Sequence, residues 1–318
     1  MSFNDSTKIY VAGHRGLVGS AICRELKNQG YKNIITRSHA ELDLKDQDKT
    51  EKFILNIKPD IVFLAAAKVG GILANNSYPV DFLMDNLAIQ SNIIRASYLA
   101  NVKRLIFLGS SCIYPKKCPQ PIKEEYLLSS DLEPTNRAYA LAKIAGVEMC
   151  WSYNRQFDTK YLAAMPTNLY GPNDNYDLSN SHVLPALIRK IHDAKINDKA
   201  TVEIWGTGEP RREFLHVDDL AKALIILSSL KDDSFQKLVG KDVCPLINIG
   251  SGVDLKIKEL ASLIKKTIGF KGNFVFDKSK PDGTLRKVMN IEKIKLLGWR
   301  PQISLEDGLC QTYKNYKS

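Results

Sequence analysis

The chain has 318 residues, of which 44% are hydrophobic, so it can hold one large domain or two smaller ones with a sizeable core. No apolar run reaches the roughly 18 residues of a membrane-spanning helix, and residues 1–6 lack the basic and apolar regions of a signal peptide; both observations predict a cytoplasmic protein without a membrane partner. The net charge of +10 is spread along the chain and accompanies no nucleic-acid-binding motif; it predicts a lysine-rich solvated surface, or one that attracts polyanionic small molecules such as nucleotides, and does not indicate binding to nucleic acid.

Six cysteines are scattered along the chain without the C-x-x-C spacing of a zinc or redox motif. In a chain of this size, such scattering favours reduced thiols over disulfides, and no metal site is predicted. The cysteines are Cys23, Cys112, Cys118, Cys150, Cys244 and Cys310.

Strand-like apolar runs alternate with helical patterns over the first half of the chain. This alternation predicts a parallel sheet that is covered by helices on both faces. Right-handed crossovers make it a doubly wound α/β sheet of the Rossmann type, which binds its ligand at the carboxyl ends of the strands. The predicted strands are 8–12, 33–36, 60–66, 104–109 and 160–165, and the predicted helices lie near 17–29, 47–57, 80–100 and 137–157.

The pattern changes after residue 172, where a loop rich in Asn, Asp and Ser precedes a further helix. We predict a dinucleotide-binding domain at 1–170, with returning segments near 213–250, and a smaller C-terminal α/β substrate lobe made of 171–212 and 251–318. A cleft is expected where the two meet. The elements predicted in this part are strands 201–205, 246–249 and 273–276 and segments 256–267 and 291–297.

A glycine-rich turn joins the first predicted strand to the first predicted helix. It reads Gly13-His14-Arg15-Gly16-Leu17-Val18-Gly19. The glycines permit a tight turn and a close approach of the backbone to a pyrophosphate, while the helix N-terminus supplies N–H donors and a positive dipole end. In this position the pattern predicts a dinucleotide cofactor.

The end of the second predicted strand indicates which dinucleotide is bound. NAD sites usually place Asp or Glu there, whereas this strand is followed by Arg37 and His39, with no carboxylate before Glu41. Arg15 and Arg37 could flank a 2′-phosphate, so NADP(H) is the predicted cofactor. Asp43 is a candidate adenine contact, with a helix cap as the alternative.

Three residues predict the chemistry. Tyr139 and Lys143 are four apart on one predicted helix and therefore share a face. A phenol with a pKa near 10 is a poor acid or base at neutral pH, but a nearby ammonium and the charge of an oxidised nicotinamide favour the phenolate. Ser110 follows a buried strand, where its hydroxyl can bond a reacting oxygen. Together they predict hydride transfer to or from a carbinol or carbonyl carbon.

These features resemble the extended short-chain dehydrogenase/reductase family, and further segments resemble one bifunctional branch of it. The Tyr-x-x-x-Lys and Tyr-Gly-Pro motifs are shared widely in the family, whereas Ser-Cys-Ile-Tyr-Pro and Ser-His-Val are more particular. The resemblance implies 3,5-epimerisation of GDP-4-keto-6-deoxy-D-mannose, then NADPH-dependent reduction at C4, by a homodimer formed through helices 80–100 and 137–157. The matching segments are 12–16, 65–72, 109–115, 166–172, 180–183, 212–219 and 280–284.

Epimerisation needs a base and an acid beyond the reductase residues. The resemblance assigns this work to Cys112 and His182, whose thiol and imidazole, with unperturbed pKa values near 8.5 and 6.5, suit proton transfer at neutral pH; it does not decide which is the base. Taken alone, Cys112 would more often be a small buried residue and His182 a polar residue at a helix start. Cys112 lies two residues after Ser110, so in an extended segment both point the same way.

The resemblance also implies the binding residues. For the substrate these are Lys190, Trp205, Arg212 and Asp282; Arg212 suits a diphosphate and Trp205 suits stacking near the nucleotide. Lys190 and His39 stand where arginine is usual, so that a bidentate phosphate contact at position 190 becomes a point charge. Expected cofactor contacts are Gly13, His14, Arg15, Gly16, Leu17, Val18, Gly19, Arg37, His39, Asp43, Leu108, Gly109, Ser110, Ser111, Lys143, Pro166, Thr167, Asn168, Leu169 and His182.

Two other functions stay open at this point. A nucleotide-sugar 4-epimerase or 4,6-dehydratase usually retains NAD or needs an additional Glu near the Tyr-x-x-x-Lys helix, and it leaves Cys112 and His182 without a role. A non-enzymatic NADP-sensing protein of the same fold typically lacks the catalytic Tyr or Lys, both of which are present here.

Overall fold

The computed structural model describes residues 4–178, 180–280 and 282–317. Residues 1–3 of the N-terminal segment 1–6, Ser179 of the polar loop, Pro281 of the 280–284 segment and Ser318 of the predicted substrate lobe lie outside the described residues. The strands are β1 (Ile9–Ala12), β2 (Ile34–Ile35), β3 (Ile61–Leu64), β4 (Arg104–Leu108), β5 (Tyr161–Pro166), β6 (Asn168–Tyr170), β7 (Thr201–Trp205), β8 (Arg211–His216), β9 (Leu246–Ile249), β10 (Asp254–Lys256), β11 (Asn273–Asp277) and β12 (Arg286–Lys287). The helices are α1 (Leu17–Asn28), α2 (Gln47–Ile57), α3 (Ile72–Ser77), α4 (Pro79–Leu99), α5 (Arg137–Phe157), α6 (Val183–Ile196), α7 (Val217–Ser229), α8 (Asp232–Val239), α9 (Ile257–Ile268), α10 (Glu292–Leu296) and α11 (Leu305–Lys317).

Six strands form one fully parallel sheet, in the order β2-β1-β3-β4-β5-β9. Every residue of β1, β3, β4, β5 and β9 is buried, as expected when helices cover both faces of a parallel sheet. Helices α2, α4 and α5 pack side by side, while α1 packs against α7. The predicted doubly wound α/β fold is confirmed.

A second, smaller hydrophobic core lies outside this sheet. Helices α6, α9 and α11 pack together around it, and it includes Leu187, Ile188, Leu260, Ile264 and Leu309. Strand β8 pairs with β6, β10 and β12, while β7 pairs with β11. Within the described ranges, no helix has the length and apolar character that crossing a bilayer requires.

Candidate active site

The glycine turn after β1 is built from backbone contacts that side chains would block. Gly13 has φ +84°, and a Cβ atom there would lie 2.7 Å from the backbone nitrogen of Ala66. A Cβ at Gly19 would lie 2.2 Å from the Gly13 carbonyl oxygen. Nδ1 of His14 is buried and finds no hydrogen-bond partner among the described residues. The turn and the N-terminus of α1 therefore fit the pyrophosphate of a dinucleotide.

Two exposed arginines lie near the end of β2. The guanidinium of Arg37 stacks over the Phe53 ring at 5.0 Å, and Arg15 is exposed in the glycine turn. The backbone N–H and hydroxyl of Ser38 both donate to Oε2 of Glu41 at 2.7 Å. These bonds, with smaller contributions from Arg37 and Arg15, lower the pKa of Glu41. The Glu41 carboxylate is therefore held against the backbone that follows β2, close to Arg37 and Arg15.

His39 and Asp43 lie together in the turn that follows. His39 Nε2 is 3.6 Å from Asp43 Oδ1, which also accepts a hydrogen bond from the Lys45 N–H at 3.0 Å. Helix α2 is capped by Asp46, which accepts from the Lys49 N–H at 3.0 Å. The helix-cap alternative for Asp43 is therefore wrong, because the N-cap of α2 lies three residues later, at Asp46. The adenine contact of Asp43 stays a prediction.

Tyr139 and Lys143 lie one turn apart on α5, as predicted, and both are buried. Lys143 Nζ donates to the Leu108 carbonyl at 2.7 Å and lies 5.9 Å from the Tyr139 ring centroid. Burial lowers the pKa of Lys143 to about 7. Burial also raises the pKa of Tyr139 well above its usual value; Cys112 raises it further, and hydrogen bonding with Ser110 opposes the rise. Burial thus favours the neutral form of both groups, and the predicted phenolate, which also depends on the charge of a bound oxidised nicotinamide, stays a prediction.

The segment after Ser110 is not extended, and that premise was wrong. Residues Ser111–Ile113 form a 3₁₀ turn, because the Ser110 hydroxyl accepts a hydrogen bond from the Cys112 N–H at 3.2 Å. The Cys112 side chain nonetheless packs in a small cluster with Phe82 and Tyr139. The thiol and the phenol therefore share one site.

His182 directly precedes α6, as predicted, and its side chain forms no capping bond within the described residues. The Gly71 N–H donates to the Asn180 carbonyl at 2.9 Å, which holds the loop before His182 against the segment after β3. The residue is exposed, yet enough protein surrounds it that desolvation, together with the charge of Lys287, lowers the pKa of its imidazole. Both effects favour the neutral form of the imidazole.

Trp205, at the end of β7, has the ammonium groups of two lysines near its ring. Its side chain is 51% exposed, so it can stack against a ligand. Nζ of Lys190 lies 5.1 Å and Nζ of Lys280 lies 5.7 Å from the centroid of its ring. Burial lowers the pKa of Lys190. Lys280 was not identified as a site residue from the sequence, although it begins a matching segment.

Arg212 and Asp282 are held by neighbouring strands and turns. Nη1 of Arg212 donates to the Thr284 carbonyl at 2.5 Å. The Asp282 carboxylate accepts from the Thr207 N–H at 2.7 Å and from the Thr207 hydroxyl at 2.8 Å. Asp282 thus fixes the turn after Trp205.

The remaining predicted cofactor residues follow the carboxyl ends of the central strands. The Gly109 N–H donates to the Ala164 carbonyl at 2.9 Å, and Ser111 is buried. The side chains of Thr167 and Asn168 donate to the Glu213 carbonyl at 3.3 and 2.9 Å. Pro166 ends β5, Leu169 lies in β6, and Leu17 and Val18 open α1. The fold thus places these groups along one edge of the sheet.

Two further site residues were missed in the sequence. Lys287 Nζ lies 3.8 Å from Cys112 Sγ. Asn136 Oδ1 is buried without a partner among the described residues. Cys112, Asn136 and Lys287 line one cavity of about 40 Å³, together with Gln120 and Glu133. Lys287 lies three residues beyond a matching segment, which was the available signal.

Comparisons with known proteins assign the chain to a family. Residues 9–239 match the model of the NAD dependent epimerase/dehydratase family. The chain is 55% identical to GDP-L-fucose synthase 1 of Arabidopsis thaliana, over 98% of this chain and 93% of the relative. It is 50% identical to GDP-L-fucose synthase of Escherichia coli (strain K12), over 96% and 95%.

A solved structure is similar over the whole length. It is a GDP-mannoheptose C4 reductase from Campylobacter jejuni with NADP bound, 42% identical, with a TM-score of 0.91 and coverage of 100% of both chains. The chain therefore belongs to the NAD-dependent epimerase/dehydratase family and, within it, to the GDP-L-fucose synthases.

Proposed function

We propose that this protein converts GDP-4-keto-6-deoxy-D-mannose to GDP-L-fucose, first by epimerisation at C3 and C5 and then by NADPH-dependent reduction at C4. The observation that carries the proposal is the packing of the Cys112 thiol beside the Tyr139 phenol. A group for epimerisation and a group for reduction lie in one site. The identity to GDP-L-fucose synthases supports the same reaction.

NADP(H) is the cofactor, and the residues at the sheet edge fit it. The turn 13–19 would hold the pyrophosphate, and Arg15 and Arg37 would pair with the 2′-phosphate, assisted by His39. Asp43 would contact adenine. When bound, the cofactor supplies the hydride for C4. The other residues that would contact it are Leu108, Gly109, Ser110, Ser111, Lys143, Pro166, Thr167, Asn168, Leu169 and His182.

Epimerisation uses Cys112 and His182 as a base and acid pair. At C3 and then at C5, the C–H bond next to the ketone breaks, its proton goes to the base, and its electron pair moves to the C4 oxygen. Ser110 and Tyr139 stabilise the resulting enediolate by hydrogen bonds. The acid then protonates the opposite face of the same carbon. The neutral imidazole of His182 and the nearby thiol suit proton exchange at neutral pH.

Reduction uses Tyr139 as the proton donor to the C4 oxygen. Burial keeps the phenol protonated at neutral pH, which is the form that a donor needs. Lys143 lies on the same helix face, and its pKa of about 7 lets it gain or lose a proton near the working pH. Lys143 is thus suited to return a proton to Tyr139 after turnover.

The substrate would bind between the two cores. Lys190 and Arg212 provide positive charge for the diphosphate, Trp205 stacks near the nucleotide, and Asp282 shapes the turn beside it. Residues 1–170, with the returning segments near 213–250, would hold the cofactor. Residues 171–212 and 251–318 would hold the substrate.

A homodimer in the cytoplasm fits the exposed surface. Val80 and Met84 on α4 are 68% and 56% exposed, and Leu141 on α5 is 41% exposed. Because α4 and α5 pack together, these side chains lie on adjoining helices that a second copy could cover. The six free cysteines suit a reducing compartment.

The second candidate is simple C4 reduction of a GDP-heptose, which the similarity to the GDP-mannoheptose C4 reductase favours. Such a reaction needs Ser110, Tyr139 and Lys143 but gives Cys112 and His182 no role. The test is to mix protein, NADPH and GDP-4-keto-6-deoxymannose in D₂O, follow the absorbance of the reduced nicotinamide, and identify the sugar by NMR. We expect GDP-L-fucose with deuterium at C3 and C5. A reduced product with the original configuration at both carbons would support the second candidate.

A further inference from the structure

Lys287 reaches the Cys112 sulfur from the opposite side of the site. Its Nζ lies 3.8 Å from Cys112 Sγ. The neighbouring Arg286 pairs instead with Asp254, which also pairs with Arg211. Both cations line the same cavity as Cys112, but Arg286 is neutralised by Asp254 whereas Lys287 reaches the thiol. Among the residues that the structure describes, no carboxylate lies within ion-pair distance of the Lys287 ammonium.

The backbone that carries Lys287 is fixed on both sides. Strand β12 pairs with β8, which places Lys287 opposite Arg212. The Val288 N–H donates to Oε1 of Gln120 at 2.9 Å, and the Val288 carbonyl accepts from the Ile122 N–H at 2.8 Å. The segment that carries Lys287 is therefore tied to the chain that follows Cys112, and the contact between ammonium and sulfur is built into the fold.

The groups around Cys112 are mostly neutral or positive. Glu133 is the exception, but its carboxylate accepts hydrogen bonds from the Thr135 and Asn136 N–H groups at 3.0 and 3.2 Å. Burial lowers the pKa of Arg212, and the neighbouring Asp282 and Cys112 oppose that shift. Thiols flanked by cations are those that proteins hold as thiolates. The groups that face Cys112 are Ser110 after β4, Tyr139 on α5, Arg212 on β8 and Lys287 on β12. The charge of Lys287 also acts on His182 before α6, and Lys116, Glu133 and Arg286 lie on the same cavity wall.

We propose that Lys287 is a positioning residue for epimerisation, whose ammonium stabilises the thiolate of Cys112 and so prepares the sulfur for proton exchange with the sugar. In that exchange a proton passes from carbon to sulfur, and the C–H electron pair moves to the C4 oxygen. The protonated form of His182 then delivers a proton to the opposite face of the same carbon, and its lowered pKa makes it give up that proton more readily. The inference rests on the proposed function for its catalytic meaning, whereas its electrostatic part concerns the free protein.

The first test needs no substrate. Alkylation of Cys112 by iodoacetamide is followed by mass spectrometry of its peptide over a range of pH, in wild type, Lys287→Met, Lys287→Arg and the matched neighbour Arg286→Met. We expect Lys287→Met to react about tenfold more slowly near pH 7. Lys287→Arg should restore the wild-type profile, and Arg286→Met should leave it unchanged. If Lys287→Met unfolds, Lys287→Gln replaces it.

The second test measures catalysis. Deuterium entry from D₂O at C3 and C5 of the GDP-4-keto sugar should fall about tenfold in Lys287→Met, while reduction of the already epimerised ketone should stay near wild type. An unchanged alkylation profile in Lys287→Met would overturn the inference, as would an equal loss in Lys287→Arg, which would indicate a packing role. Failure of the wild type to exchange deuterium would refute the proposed function instead, because the alkylation result does not depend on it.

Discussion

The lowered pKa of Lys143 can be tested by measuring how replacing this residue changes the free energy of unfolding. The residue is 2% exposed, and burial lowers its pKa from 10.5 to about 7. At about 1.4 kcal/mol per unit, holding the ammonium in the folded protein costs on the order of 5 kcal/mol when it is fully charged. Lys143→Met removes that cost but also removes the bond to the Leu108 carbonyl, which contributes roughly 1–3 kcal/mol. We therefore expect Lys143→Met to be more stable by about 3 kcal/mol near pH 6.

The stability difference between Lys143→Met and wild type should depend on pH, in a direction that follows from the lowered pKa of Lys143. The folded protein binds the Lys143 proton more weakly than the unfolded chain does, so the penalty is complete below about pH 7 and declines as the pH rises toward the unfolded value of 10.5. Between about pH 6 and 8.5, the advantage of Lys143→Met should shrink by about 2 kcal/mol.

Urea unfolding of the protein without cofactor, followed by circular dichroism at several pH values, measures the effect. The exposed Lys52 on α2 provides a matched control, and Lys52→Met should differ little from wild type at any pH. Two results would refute the reasoning: an advantage of Lys143→Met that does not change with pH, or a variant less stable than wild type near pH 6. Either would mean that the ammonium is not held against a desolvation cost.

Three further predictions concern other parts of the protein. Tyr139→Phe should slow NADPH oxidation by roughly 10²–10⁴-fold. Deuterium entry at C3 and C5 should stay within about tenfold of the wild-type rate, because Ser110 still donates a hydrogen bond to the C4 oxygen. An equal loss of both rates would contradict separate roles for the two steps. Lys190→Arg should tighten GDP binding in calorimetry by roughly 3–10-fold, because a planar guanidinium can hold two phosphate oxygens; weaker binding would remove Lys190 from the diphosphate site. Met84→Glu should shift the protein to monomers in analytical ultracentrifugation, whereas Leu296→Glu, at a position 85% exposed outside α4 and α5, should not.

The central sheet could be predicted because its strands are buried on both faces and therefore form continuous apolar runs. The bounds of α2 and α5 coincide with the prediction, and those of β7 and β9 do as well. Helix α7 was not predicted as a separate element. Most of its residues are buried, including Leu220, Ala221, Ala223, Leu224 and Leu227, so it lacks the polar face that makes a helix visible in sequence. Strands β10 and β12 have three and two residues and show no periodicity.

The site residues that belong to a local sequence motif could be predicted, whereas those brought in by pairing between distant strands were missed. The glycine turn, Tyr139 and Lys143 follow from local spacing. At Cys112, the Ser110 hydroxyl accepts a hydrogen bond from the Cys112 N–H and so favours the 3₁₀ turn. Local hydrogen bonds of this kind override the extended conformation that the prediction of alternating side chains assumed. Lys287 reaches Cys112 only because β12 pairs with β8, a contact between segments far apart in the chain.

The arrangement of Cys112 and Tyr139 bears on the order of the two reactions. Both stages act on carbons adjacent to one ketone, and the C4 oxygen needs hydrogen bonds first as an enediolate and then as a developing alkoxide. Because the thiol packs against the phenol, Ser110 and Tyr139 can serve that oxygen in both stages without the sugar leaving the site. Burial keeps Tyr139 protonated, so the phenol can donate a hydrogen bond throughout epimerisation and gives up its proton only when C4 is reduced. Epimerisation must precede reduction, since a product already reduced at C4 has no ketone to acidify its neighbouring carbons.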